Sequence, residues 1–72
     1  MKYIVIEIQR TIGNTTTAIN TIHSDPNIAN QDFFTKCSYA AVSGLPRHTI
    51  VLLNEGGTEL KCETFTTEPE YE

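Results

Sequence analysis

The first strand of this 72-residue chain is apolar on both of its faces. In Lys2-Tyr3-Ile4-Val5-Ile6-Glu7-Ile8-Gln9, alternation sends Ile4, Ile6 and Ile8 to one side and Tyr3 and Val5 to the other. A later run, His48-Thr49-Ile50-Val51-Leu52-Leu53, has the same character. One helix covers one side of a small sheet, so the other side calls for a second copy or a partner. A chain this short buries only about 60% of its unfolded surface and is marginal alone. Oligomerisation is one of the few remedies available to such a scaffold. The two cysteines, Cys37 and Cys62, are too few for a disulfide framework and are expected to be buried, reduced thiols.

The punctuation of the chain predicts five elements. Strand 1 is expected over about 2–10, and Thr11-Ile12-Gly13-Asn14 supplies the Gly and Asn of a tight hairpin. Strand 2 follows over about 15–23, with the β-branched but polar Thr15-Thr16-Thr17 of an exposed edge. Ser24-Asp25 is placed to cap a helix whose first residue is Pro26, where a missing N–H costs nothing. The helix is expected to end at Ser43, with Gly44 in a left-handed conformation and Pro46 forbidding continuation. Ala29, Phe33, Cys37, Ala40 and Ala41 fall at helical spacing as its buried stripe. Strand 3 covers about 48–53, Asn54-Glu55-Gly56-Gly57 is a turn, and strand 4 covers about 58–66. In that last strand Leu60 and Cys62 alternate with Glu59, Lys61 and Glu63.

Strands apolar on both faces belong in the middle of a sheet, and Thr-rich or charge-alternating ones at its edges. The expected fold is therefore an α+β ββαββ domain over residues 1–66, with strand order 2-1-3-4 and one helix on one face. The connection from strand 2 through the helix to strand 3 is then a right-handed crossover. Residues 67–72 form an acidic tail, Thr67-Glu68-Pro69-Glu70-Tyr71-Glu72. A two-residue turn at Gly13-Asn14 would set Ile8 opposite Ile19, Ile6 opposite Thr21 and Ile4 opposite His23. An even-length second turn would put Val51, Leu53, Leu60 and Cys62 on one face. On these registers the helix is expected to cover Ile4, Ile6 and Ile8. The open face would present Tyr3, Val5, Ile22, Ile50 and Leu52, rimmed by Glu7, His48, Glu59, Lys61 and Glu63. An apolar patch with a polar rim marks an interface or ligand groove. Those five apolar residues are the expected interface of a homo-oligomer, a dimer by the commonness of that assembly. Arg47, His48 and Lys61 are the candidate contacts for a small anionic ligand.

Three stretches carry a resemblance: Lys2 to Gln9, Ala40-Ala41-Val42-Ser43, and His48 to Gly57. Together they resemble a family of small hypothetical proteins of phages and prophages of Gram-positive bacteria. The chain departs from that pattern at Ser38-Tyr39 and Gly56-Gly57. The resemblance implies a phage accessory protein that counteracts host defence, by binding a protein or by sequestering a small nucleotide signal. The alternative from the residues alone is a structural or regulatory interaction module that docks through its open sheet face.

Other function classes find little support. The formal charge is −4, and the five bases are spread along the chain, so no stripe tracks a phosphate backbone. His23, Cys37, His48 and Cys62 lie 14, 11 and 14 residues apart, without the short paired spacing of zinc modules. No nucleophile elbow or phosphate loop is present, and no cofactor is expected. No run approaches a membrane span or a signal peptide, so the expected compartment is the cytoplasm, that of the host if phage-encoded. The expectation is a non-enzymatic binding protein without nucleic-acid or membrane partners.

Overall fold

The structure, a computed structural model, describes residues 1–66. The acidic tail expected over 67–72 lies outside the described residues. The elements are β1 (Tyr3–Arg10), β2 (Thr16–His23), α1 (Pro26–Ala41), β3 (Arg47–Asn54) and β4 (Glu59–Thr66). The four strands form one antiparallel sheet in the order β2-β1-β3-β4. This is the expected α+β arrangement, with the strands that are apolar on both sides in the centre.

Local chemistry sets the helix ends. The Asp25 carboxylate accepts from the Asn27 N–H at 2.8 Å, and Pro26 opens the first turn. The helix stops at Ala41, two residues before the expected end, and Val42 is its C-cap. The Ser43 N–H still bonds the Ala40 carbonyl at 3.3 Å, so the chain keeps turning past the last helical residue. Gly44 then takes φ +73°, with open space where a Cβ would stand. Any penalty for a side chain here therefore comes from the backbone alone. Gly44→Val is expected to lower stability by about 1–3 kcal/mol. Gly44→Asn should cost much less, because Asn tolerates the left-handed region. The two denaturant midpoints should differ accordingly.

The first turn differs from expectation. It is a five-residue loop, 11–15, closed by the Thr11 N–H on the Thr15 carbonyl and the Asn14 N–H on the Thr11 carbonyl, both at 2.9 Å. Asn14, not Gly13, has the positive φ, at 64°. The longer loop moves β2 by one residue, so Ile8 faces Ala18, Ile6 faces Asn20 and Ile4 faces Ile22. A one-residue slip reverses every side chain. Ile19 therefore lies on the face opposite Ile8, beside Glu7. The second turn holds Asn54, whose side-chain oxygen accepts from Gly56 and Thr58 N–H at 2.9 and 3.0 Å. A register irregularity at Leu52/Leu53 leaves Lys61 opposite Leu52 and Glu59 opposite Leu53, with Leu60 unpaired.

The core lies under α1. Ala29, Phe33, Cys37 and Ala40 pack on Val5, Ile50 and Leu52, with Tyr3 and Phe65 at its margins. Ala41, expected in the stripe, is exposed. The expected assignment of the two faces is thus reversed: Val5 and Ile50 are 0% exposed and Leu52 is 1% exposed. Cross-strand pairing puts Val5 beside Leu52, and Ile4 and Ile6 beside Leu53 and Val51, so the two sets separate cleanly.

Polar residues give the reason. The only charged residues of α1 are Asp32 and Lys36, and partners for them stand on the Val5 side of β2. His23 Nε2 donates to the Asp32 carboxylate at 2.8 Å, and Lys36 Nζ reaches Asp32 at 2.9 Å and the Thr21 hydroxyl at 3.0 Å. The other side of β2 offers Ala18, Asn20 and Ile22. Half-buried charges that lack partners are costly, so the helix settles where they are satisfied.

Candidate interaction surface

The face that α1 leaves uncovered belongs to Ile4, Ile6 and Ile8 of β1 and to Val51 and Leu53 of β3. They form two adjacent aliphatic rows down the centre of the sheet. The neighbours on β2 are Ala18, Asn20 and Ile22, the last 64% exposed. On β4 Cys62 pairs with Val51 and Thr64 with Thr49, and the two threonine hydroxyls meet at 3.2 Å. At one end of this face Arg10 and Arg47 are cross-strand partners. Glu55 and Glu59 stand at the other end of the sheet.

Of the expected interface residues, Ile22 is on the open face. Tyr3, Val5, Ile50 and Leu52 are beneath the helix and build its core. The expected ligand contacts also separate. Arg47 and His48 are consecutive in β3 and so point to opposite faces. Lys61 pairs with Leu52, about 13 Å along the strand from His48 at about 3.3 Å per residue. Its ammonium sits 5.9 Å from the Phe34 ring centroid, a cation–π contact on the helix side. His48 pairs with Phe65 rather than Glu63.

His48 is 3% exposed. Its Nε2 donates to the Glu7 carboxylate at 2.7 Å, and its Nδ1 lies 3.2 Å from the Ser43 hydroxyl. A Ser–His–Glu chain suggests hydrolysis, but the geometry speaks for a structural clamp. The Ser43 hydroxyl donates to the Ala40 carbonyl at 3.1 Å and accepts from the Leu45 N–H at 3.4 Å. It therefore sits at the negative end of α1, where an oxyanion is disfavoured. The network ties β1, β3 and the end of α1 together. Glu7 is readable in the sequence as the one acid within an aliphatic strand, yet its partner is 41 residues away.

The thiols differ. Cys37 is buried and Cys62 exposed, and both are free. The expectation that Cys62 is buried fails because Cys62 pairs with Val51 on one face while α1 packs on the other. Burial, with Glu63 and Cys62 nearby, pushes the Cys37 thiol up. Partial burial and the charges of Glu59 and Glu63 push Cys62 up. Neither has the electropositive surroundings of an activated nucleophile. Among the described residues, no group of three or more His, Cys, Asp or Glu could hold a metal ion. No helix in that region is long and apolar enough to cross a membrane.

At the β2 edge, burial pushes the Asp32 carboxyl upward, but hydrogen bonds from His23 and Lys36 outweigh it and hold the group below its usual 3.8. A depressed folded value means that the stabilisation is complete above the ordinary carboxylate value. It is lost as pH falls through the folded value. Wild type should therefore lose stability below pH 3.8, and Asp32→Asn should flatten that limb. Melting temperatures from pH 7 down to pH 2 decide this.

No family model matches this chain, and neither the curated proteins nor the solved structures yield a match.

Proposed function

We propose that this protein is a non-enzymatic binding protein built on a dimer, in which two copies close their open sheet faces on one another. The observation that carries this is the uncovered pair of central aliphatic rows, Ile4, Ile6 and Ile8 beside Val51 and Leu53. The core beneath α1 has only four large side chains, Phe33, Ile50, Leu52 and Val5, with relative exposure below 2%. A core that small leaves the fold in need of further burial.

Size favours a second copy. Four strands about 4.8 Å apart, of eight residues rising about 3.3 Å each, make a face of about 19 by 26 Å. Two such faces enclose on the order of 1,000 Å² as flat projections, which is the lower threshold of a biological interface. The phage kinship implied by the sequence makes a host-defence protein or a small nucleotide-like anion the target class of this dimer.

Cys62 reports on the interface directly, because it is exposed in the single chain and lies on the open face. In wild type at micromolar concentration its native labelling by a thiol reagent should be slow. In Ile6→Glu it should be fast, and the sedimentation mass should fall. Fast wild-type labelling at a single-subunit mass would overturn the dimer and assign the face to a different protein. Native mass spectrometry of protein taken directly from cells would report any retained anion.

A further inference from the structure

The two edges of the sheet are built differently. β4 carries the alternating charges Glu59, Lys61 and Glu63, and its register with β3 is broken at Leu52/Leu53. Charges and bulges of this kind are how sheet edges avoid pairing with other strands. β2 has neither protection. Thr16 to Ile22 holds no charge, no proline and no glycine, and all eight residues of the strand pair with β1 in unbroken register. Its threonines and isoleucines favour strands, and Ile19 and Ile22 are 49% and 64% exposed, one on each face.

We propose that β2 is a second self-association surface, which pairs antiparallel with β2 of another copy to make a continuous eight-stranded sheet. The occupant is a second copy because one two-fold axis perpendicular to the sheet satisfies both unprotected edges at once. The side chains of Thr16 to Ile22 offer no charge to a charged foreign strand, and the charged cluster beside them, His23, Asp32 and Lys36, is paired within the chain. With the axis near Ile19, the two Ile19 side chains meet on the helix side and Thr17 stands opposite Thr21. Facing pairs of this kind stabilise antiparallel strands. The perpendicular axis keeps both helices on the same side and joins the two open faces into one surface. The edge contact does not depend on the open-face dimer. If both form, their two-fold axes are mutually perpendicular and the assembly is a tetramer of two stacked eight-stranded sheets.

The test is the subunit count by sedimentation velocity and native mass spectrometry, on wild type, Ile19→Lys, Thr17→Lys and Ile6→Glu. Ile19 and Thr17 are exposed on an edge, so both lysine variants should keep the wild-type circular dichroism spectrum. Wild type should be a tetramer, and each of the three variants should halve its mass. Combining Ile19→Lys with Ile6→Glu should give single subunits. A wild-type mass that both folded lysine variants leave unchanged overturns the edge contact. A dimer that Ile6→Glu dissociates and the lysine variants do not would overturn the edge contact and sustain the open-face reading. A dimer with the reverse response would sustain the edge contact and overturn the open-face reading. Amide exchange gives a second readout: in wild type the β2 amides should be protected like those of β1, and in Ile19→Lys they should lose that protection.

Discussion

Ile50→Glu should leave no folded protein at any concentration, whereas Ile6→Glu should give a folded chain of reduced subunit count. The two positions lie on adjacent central strands, and what separates them is the face. Ile50 is 0% exposed beneath α1, among Phe33, Val5 and Leu52. A carboxylate there has no cationic partner, and a buried unpaired charge is among the costliest single changes. Ile6 is half-buried only by its neighbours in the sheet, so in a lone chain a glutamate there reaches water. Its cost falls on the contact between copies, and the apparent stability of Ile6→Glu should depend less steeply on protein concentration than that of wild type. Urea unfolding at several protein concentrations checks both. A folded, monomeric Ile50→Glu would mean that the helix covers the other face.

Phe33→Ala should lower stability by about 3–5 kcal/mol, as for large-to-small changes of buried aromatics. Phe33 is the largest buried side chain, and its α1 neighbours in the core, Ala29, Cys37 and Ala40, are small. The stripe of small residues lets the helix lie close to the sheet. It also leaves nothing able to fill the space that Phe33 occupies. A domain of this size has on the order of 3–10 kcal/mol of stability at about 0.05–0.15 kcal/mol per residue, so most of it should be lost. Phe34 forms an edge-to-face contact with Phe33 at 5.2 Å but is itself 57% exposed. Phe34→Ala should therefore cost far less, and the difference in denaturant midpoint between the two variants measures the asymmetry.

Much of the architecture was legible because its signals are local. Asp25-Pro26 starts the helix, Gly44 takes its expected left-handed conformation two residues past the C-cap Val42, and Ala29, Phe33, Cys37 and Ala40 mark the inner face. The two-sided apolar character of β1 and β3 put them in the centre, which is the observed order. On an even-length second turn Val5 is expected to share a face with Leu52, and Ile6 with Val51, and both do. The candidate surface was legible as a necessity but not in its membership, for of the five residues expected on it only Ile22 lies there. Arg47, His48 and Lys61 do not share one face of the single chain, since strand alternation alone keeps Arg47 and His48 apart.

By itself, then, the sequence determined the elements, their order in the sheet and the existence of two apolar faces, because each depends on residues close together in the chain. The tertiary structure alone decided which face the helix covers. Ile4, Ile6 and Ile8 are as hydrophobic as any core, and burial of apolar area does not choose between two such faces. Polar groups from distant segments make the choice. His23 meets Asp32, and Lys36 meets the Thr21 hydroxyl, only when α1 lies on the Val5 side. Loop closure decided the rest, because one more residue in the first turn reversed β2. Hydrophobic burial is non-directional, whereas hydrogen bonds are short and directional. The first is readable from a window of sequence, and the second is settled only when the segments meet.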